Sequence, residues 1–297
     1  MKSWKHSRAL TGETWSVVKA NRYLMLFPAA AATIAIVLVL IIGGIGLGIL
    51  GVSAVAKDIA NEEKAMSAST LVIGIVVLII AAYIGTLISQ IFMGGLVYCA
   101  DEELQGRKSS FGAGLKVAMG RIGALLGWAG IQTSVGWLLS LVRGGDSGNN
   151  IFVTILRLVL GALLSVAWSV VTFFVLPLII LRGKGPVAAI KESFSLIRQT
   201  WGTSLGGGVR IGGLVALLGI LPGVIMLLGG GFLAVAGKSA FGLPLLALGV
   251  IVLIAASVLV SALRAVFSVA LLHYVEDKTG LGPFSQADLQ SAVSVKR

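Results

Sequence analysis

The sequence predicts an all-α membrane protein, a polytopic bundle of six transmembrane helices. Hydrophobic residues make up 57% of the 297 residues and charged residues only 12%, about half the charged share of soluble domains. Six apolar stretches each reach the roughly 20 residues that a membrane span needs. We therefore expect a single transmembrane domain over residues 1–297. The predicted spans are Leu26–Leu50, Leu71–Cys99, Ile122–Val142, Leu158–Leu181, Thr203–Ala234 and Leu243–Leu272.

The first span follows a polar, charged N-terminal segment that runs through Arg22. The apolar run beyond that segment is much longer than the apolar region of a secretory signal, which covers 7–15 residues. We therefore expect this run to be a retained span rather than a cleaved signal.

The lysines and arginines between the spans predict the orientation of the bundle. Sixteen lie in the N-terminal segment, the tail and the two loops 100–121 and 182–200, and only four lie on the other side. Cytoplasmic loops carry an excess of these residues. The count predicts a plasma-membrane protein with both termini in the cytoplasm.

The loop before the fifth span predicts an amphipathic helix that opens at Pro186. Its apolar residues recur every three or four positions and so share one side of a helix, while Lys191 and Arg198 take the opposite side. Such a helix between two spans is typical of the membrane interface. The apolar residues are Val187, Ile190, Phe194, Ile197 and Trp201.

The same pattern occurs before the first and third spans. Arg22, Arg121 and Arg198 each precede a span, and an apolar residue stands four positions before each. In the second copy, Ser109 or Ser110 caps a helix that also carries Lys116. These observations predict three hairpins, each preceded by a cytosolic interfacial amphipathic helix, as repeat units 10–106, 107–183 and 184–280. The alternative is that shared membrane composition alone produces the likeness.

The distribution of reactive residues disfavours an enzyme. None of the twelve acidic residues lies inside a predicted span, His6 and His273 are the only histidines, and Cys99 is the only cysteine. Catalytic and metal sites need paired acid–base groups or clustered ligands. We therefore expect no catalytic residue, no metal and no cofactor. The net charge of +11 lies beside apolar spans, which indicates anionic lipid rather than nucleic acid as the partner.

Arg210 and Arg264 are candidate ligand-binding residues because they lie inside predicted spans. From the predicted span ends, each is about 10–12 Å inside the cytosolic edge at the rise of an α-helix. A charge in the bilayer is costly, and no predicted span offers a carboxylate. Either the two bind an anionic lipid or another anion, or their side chains only extend to the headgroups. The tentative membrane-surface contacts are Arg22, Lys116, Arg121, Lys191 and Arg198.

Glycine spacing predicts close helix packing in several spans. The sequence has forty glycines, and some are separated by four positions, the GxxxG spacing that lets two helix backbones approach closely. The pairs are Gly44–Gly48, Gly123–Gly127, Gly208–Gly212 and Gly219–Gly223.

The segment Leu176–Trp201 resembles the signature of a broad superfamily of uncharacterised prokaryotic six-span proteins, distantly similar to the membrane domain of glycerophosphodiester phosphodiesterases. Arg182 departs from that pattern, which often has an acid there. The opening SRALTGETWSVVKANRYLMLFP and the span order, over about residues 4–280, are similar to a bacterial and archaeal membrane family of unknown function. The resemblance implies an architecture and carries over no functional residue. The matching positions are Pro177, Gly183, Ala189, Ile190, Ser193, Leu196 and Trp201.

These observations favour a non-enzymatic membrane or accessory protein that interacts with anionic phospholipids. The alternative is a transporter or flippase for a lipid or an amphiphilic anion, and an integral-membrane enzyme is the least supported reading. The sequence leaves open whether the chain has membrane-protein partners or forms a homo-oligomer.

Overall fold

The computed structural model describes residues 12–50, 68–144, 151–201, 209–277 and 281–284. Of residues 209–219 it describes only the helical backbone. The described residues form helices and no strand, in agreement with the predicted all-α class. A short 3₁₀ turn, Arg22–Met25, links the first two helices. The helices are α1 (12–20), α2 (Leu26–Leu50), α3 (Ala68–Leu104), α4 (Phe111–Gly120), α5 (Ile122–Gly144), α6 (Ile151–Val171), α7 (Val175–Arg182), α8 (Pro186–Trp201), α9 (Val209–Val235) and α10 (Ser239–Asp277).

Five stretches of the described helices are long and apolar enough to cross a membrane. The predicted fifth span, Thr203–Ala234, lies partly outside the described residues, and Ile220–Val235 is the apolar part of α9 that remains. The chain is therefore a helical membrane protein. The five stretches are Arg22–Gly46, Val72–Leu104, Ile122–Val142, Ile151–Arg182 and Ser239–Asp277.

The helices α3 and α10 are longer than the spans predicted for them. They contain 37 and 39 residues, or about 55 and 58 Å at 1.5 Å per residue, against a hydrocarbon thickness near 30 Å. Both helices continue beyond the predicted span ends at Cys99 and Leu272, into the acidic residues that follow them. Each is therefore longer than the part of it that the hydrocarbon can hold.

The buried core lies at one end of the bundle. It combines α1, α4, α7 and α8 with the first turns of α2 and α5 and the last turns of α3 and α10. We call this region the core end, and we call the opposite parts of the spans the outer halves. The largest fully buried side chains of the core end include Trp128, Phe27 and Phe174. In the outer halves most large apolar side chains are exposed, as with Leu228 and Phe241.

In the outer halves, glycines let α9 and α10 pack closely. A methyl group added at Gly242 of α10 would lie 2.7 Å from the carbonyl oxygen of Gly230 in α9, and one added at Gly249 would lie 3.2 Å from that of Gly223. The residue numbers of the contacting glycines rise in α10 as they fall in α9. The two helices therefore pack antiparallel, with their backbones in contact. Helices without large side chains between them approach in this way.

The glycine spacing predicted these contacts only in part. Gly223 packs closely, as the pair Gly219–Gly223 indicates, and Gly127 contacts Pro186. Gly44 and Gly48 have open space beside them, and Gly46 contacts α3 instead. Spacing identifies which glycines share a helix face and does not specify which face meets a neighbour.

Helix starts follow the predicted signals. Ser110 caps α4, where its hydroxyl oxygen accepts a hydrogen bond from the Ala113 N–H at 3.3 Å. Pro186 opens α8. Gly183 ends α7 in the left-handed conformation, with φ of 65°, which glycine adopts without steric cost.

The predicted apolar stripe of α8 divides between two environments. Ile197 is buried, whereas Val187 and Phe194 are 55% and 51% exposed. The buried side is centred instead on Ala189 and Ser193. Small residues, rather than the largest apolar ones, fit the close contact with α7, and the contact of the apolar stripe with the membrane interface stays a prediction.

Candidate functional site

The predicted fourth span, Leu158–Leu181, is not one continuous helix. Residues 172–174 form a turn between α6 and α7, and Pro177 stands three residues into α7. Proline has no N–H, and its ring crowds the carbonyl group four residues earlier, here that of Phe173. The helix therefore breaks one turn before the proline, and we call residues 172–174 the helix break.

On the α6 side of the helix break, the carbonyl of Ser169 loses its usual helical donor. The Phe173 N–H bonds to the carbonyl of Val170, three residues back, at 3.0 Å. Arg264 of α10 replaces that donor, since its Nη2 donates to the Ser169 carbonyl at 3.2 Å and to the Ser169 Oγ at 2.9 Å. The arginine thus compensates a backbone group that the break exposes.

On the α7 side, Ser193 of α8 compensates two further groups. The Val175 N–H bonds to the carbonyl of Thr172, which leaves the Val171 carbonyl to accept a bond from the Ser193 hydroxyl at 2.5 Å. The same hydroxyl oxygen accepts the Phe174 N–H at 3.2 Å. Ser193 is fully buried, so its two bonds stabilise the break without water.

Arg264 is exposed on the surface of the bundle, and its guanidinium carbon lies 5.8 Å from the centroid of the Phe173 ring. Both of its hydrogen bonds start from Nη2. Among the described residues, no carboxylate lies within ion-pair distance of it. Nε and Nη1 therefore have no protein acceptor in that part of the chain.

Arg210, the second predicted ligand-binding residue, is the second residue of α9. Its side chain is outside the described residues. The structure therefore describes no distance between the guanidinium groups of Arg210 and Arg264. That the two bind an anion together stays a prediction.

The five predicted surface cations, Arg22, Lys116, Arg121, Lys191 and Arg198, are all exposed. The Arg121 guanidinium also packs on the backbone of Gly183, where an added methyl group would lie 2.8 Å from its Nη2. That contact joins the start of α5 to the end of α7.

Each of α1, α4 and α8 exposes a large apolar side chain beside a cation. In α8, Phe194 is 51% exposed, with Lys191 three residues before it and Arg198 four residues after it. Residues three or four apart are neighbours on a helix surface, so these two cations flank Phe194 rather than lying on the opposite side of the helix as predicted from the sequence. We call each such apolar side chain, together with the one or two cations beside it, an apolar–cation pair. The other two are Trp15 with Lys19 in α1 and Met119 with Lys116 in α4.

A polar cluster joins the ends of α3, α7 and α10. His273 Nε2 lies 2.6 Å from Asp101 Oδ1, and Arg182 forms an ion pair with Glu276. Asp277 lies one helical turn beyond His273, at 4.0 Å from its Nδ1. The carboxylates of Asp101 and Glu276 thus each have a basic partner within the protein.

A cavity of about 380 Å³ opens beside this cluster. Asp101, Arg182 and His273 form part of its polar wall, and Val117 and Ile180 belong to its apolar wall. Because each of those three polar groups has a protein partner, the cluster acts chiefly as a tie between helix ends. In the part of the chain that the structure covers, no three His, Cys, Asp or Glu side chains are grouped as metal ligands.

A family model, described as a family of unknown function (DUF6159), matches residues 72–282. That range covers more than two thirds of the chain. The chain belongs to the family DUF6159. No curated protein and no solved structure shows a significant match.

The DUF6159 region begins in α3 and extends beyond α10, so it includes the helix break, Arg264, the polar cluster and two apolar–cation pairs. It does not include α1 or α2. The match confirms the expected membership of a family of unknown function. The distant similarity to the membrane domain of glycerophosphodiester phosphodiesterases stays a prediction.

Two elements of the site were not predicted from the sequence. From the sequence, His273 is named only as one of two histidines, and Asp101 is not identified as its partner. Residues 92–106 and 267–280 are similar in sequence, and this is a usable signal, because these two segments form the helix ends that Asp101 and His273 join. Ser193 was noted only as a signature position, and its bonds to the helix break depend on the fold.

Proposed function

We propose that this DUF6159 chain is a six-span protein of the plasma membrane with both termini in the cytoplasm. In this proposal it acts as a non-enzymatic membrane or accessory protein, and its core end rests on anionic phospholipids. The observation that carries the proposal is the presence of an exposed apolar–cation pair in each of α1, α4 and α8. A large apolar group beside a cation is what an anionic headgroup layer attracts.

The helix lengths support the placement of the core end. A distance of 30 Å is covered by about 20 residues of helix, so an upright α10 that enters the bilayer at Ser239 leaves it near residue 259. The buried core residues of α10 begin at Ala262, and the half-buried Leu259 packs against them. The core end then lies at the inner headgroups and in the cytoplasm, where the cation count also directs it.

The organisation into units 10–106, 107–183 and 184–280 is part of the same proposal. Gly106 and Gly183 close the first two units, and both have positive φ, 76° and 65°. The helices α2 and α3, α5 and α6, and α9 and α10 would then be the three hairpins, each preceded by one of α1, α4 and α8.

A transporter or flippase for an amphiphilic anion is the second candidate, and the helix break is the observation that favours it. Interrupted helices in transporters present backbone groups and helix ends to substrates. Here Arg264 and Ser193 already bond to the freed groups, which favours a static brace and leaves transport as the alternative.

The proposal predicts that Phe194 lies in an anionic headgroup layer. A Cys99→Ala protein with Phe194→Cys, labelled with an environment-sensitive fluorophore and placed in nanodiscs, tests this. We expect a blue shift of the emission in phosphatidylglycerol relative to phosphatidylcholine, because cations flank position 194. Gln199→Cys, on an exposed polar position of the same helix, is the matched control and should show no such dependence.

Equal emission from position 194 in both lipids would contradict the proposal. The flippase alternative has a separate test, since reconstituted protein would then accelerate exchange of a fluorescent anionic lipid between leaflets. Exchange at the rate of protein-free vesicles would exclude it.

A further inference from the structure

Two helices independently place Arg264 near the inner boundary of the hydrocarbon. From Ser239 to Arg264, α10 rises about 37 Å, and from Ile151 to Ser169, α6 rises about 27 Å. The hydrocarbon is about 30 Å thick. The first length is somewhat greater and the second somewhat smaller than this thickness. When each helix enters the bilayer at its first residue, Arg264 and Ser169 therefore lie near the depth at which the lipid phosphates begin. Measured from the outer ends of the helices, Arg264 is thus nearer to the headgroups than the depth of about 10–12 Å that follows from a span end at Leu272.

We infer that Arg264 and Ser169 bind the phosphate group of an anionic phospholipid at the helix break. The inference deepens the proposed function, because it uses the same orientation of the chain in the membrane. It assigns a single site in addition to the apolar–cation pairs, which contact the headgroup layer as a whole.

Three donors are available to such a phosphate. Arg264 Nε and Nη1 have no acceptor among the described residues, and the Ser169 hydroxyl accepts a bond from Nη2, so its proton is available to a ligand. Guanidinium groups bind phosphate oxygens through charge-assisted bonds, often two at a time. The two bonds from Nη2 to Ser169 hold the group in a fixed orientation, which lowers the entropic cost of binding.

The surroundings favour an anion that arrives on a lipid. Arg264 is exposed on the side of the bundle, and the Phe173 ring lies beside its guanidinium group. Phe173 also stacks edge-on with Phe267, at 6.2 Å between ring centroids. An acyl chain would run along this aromatic surface while its phosphate meets the arginine. A free phosphate ion would gain nothing from that surface.

The test is titration of phosphatidylglycerol into the full chain in detergent, with the first bound lipid followed by native mass spectrometry. Arg264→Gln is the informative variant, because the Gln amide retains a donor for the Ser169 carbonyl and removes the charge. Arg157→Gln, in α6 near its opposite end, is the matched control. We expect Arg264→Gln to weaken the first binding event roughly tenfold or more, Ser169→Ala to weaken it less, and Arg157→Gln to leave it unchanged.

Unchanged affinity in folded Arg264→Gln, as judged by its melting temperature, would overturn the inference and leave Arg264 as a brace of the helix break alone. Equal losses in Arg264→Gln and Arg157→Gln would also overturn it, since the effect would be one of total charge. If inorganic phosphate displaces phosphatidylglycerol from the wild-type protein, the site binds phosphate. The inference that a lipid supplies this phosphate would then be overturned.

The result is separable from that of the proposed function. A Lys191→Gln, Arg198→Gln protein tests the apolar–cation pair of α8 and leaves Arg264 in place. If this protein retains the first lipid while the fluorophore at position 194 shows no headgroup dependence in the protein that keeps Lys191 and Arg198, the site stands and the proposed function fails.

Discussion

The core end and the outer halves of the same helices are held together in different ways. At the core end, aromatic and aliphatic side chains of α1 to α8 and of α10 interlock, and the ion pairs Arg107–Glu102, Arg182–Glu276 and Lys184–Glu192 lie there. In the outer halves α9 and α10 meet through glycine backbones, and most large apolar side chains of the spans face outward. The helices α2, α3, α5 and α10 pass through both regions.

The difference follows from the surrounding solvent. Where water surrounds a helix, burial of apolar side chains is favourable and stabilises a shared core. Where lipid surrounds it, acyl chains are as apolar as leucine, so helices associate through close van der Waals packing of small residues. The core end is thus built like a soluble domain and the outer halves like membrane spans. The boundary between them passes close to the helix break.

The largest expected effect is at the core end, in α4. A methyl group at Gly114 would lie 2.7 Å from both the Cys99 sulfur and the Gly95 carbonyl oxygen. We expect Gly114→Ala to destabilise the fold by about 1–3 kcal/mol because the packed neighbours cannot move freely. Gly112→Ala, on the same helix with nothing within 4 Å, should instead stabilise it by up to about 1 kcal/mol. Thermal unfolding in detergent measures both, and equal effects would show that α4 is not packed on α3.

A smaller effect is expected at the helix break. Ser193→Ala leaves the Val171 carbonyl and the Phe174 N–H without their shared hydroxyl, which should cost about 1–3 kcal/mol. Ser195→Ala, two residues on, removes only an acceptor of the Gln199 amide and should change stability little. The same unfolding experiment compares the two, and a Ser193→Ala protein as stable as wild type would contradict the assigned bonds.

The smallest effect on global stability is expected in the outer halves. Gly242→Ala places a methyl group 2.6 Å from the Ala234 backbone nitrogen, so α9 and α10 must separate locally. We expect amide hydrogen exchange to rise around residues 223–249 while the core end stays protected. Gly231→Ala, with open space beside it, is the control. Loss of protection at the core end in the Gly242 variant would show that the two regions unfold as one.

Much of the fold could be predicted from the sequence because local signals determine it. Apolar length placed the start of α2 at Leu26 and that of α5 at Ile122, and the capping signals identified Ser110 and Pro186. The exposed cations were also predicted, because a charged side chain beside a span has few alternatives to the surface.

The remaining features depend on contacts between distant segments. Pro177 was recognised as a signature residue, but apolar composition is the same in a broken and an unbroken helix, so the break at 172–174 was not predicted. The pair Asp101–His273 joins residues 172 positions apart. The exposure of Phe194 depends on which face of α8 meets α7, and the small residues Ala189 and Ser193 decide that contact.

The central claim is that the core end lies on the cytoplasmic side and the outer halves cross the bilayer. Single cysteines at 60, 146 and 238, and at 107 and 184, in a Cys99→Ala background test it most directly with a membrane-impermeant maleimide on intact cells. We predict labelling at 60, 146 and 238, and labelling at 107 and 184 only after lysis. Labelling of 107 and 184 from outside intact cells would contradict the account.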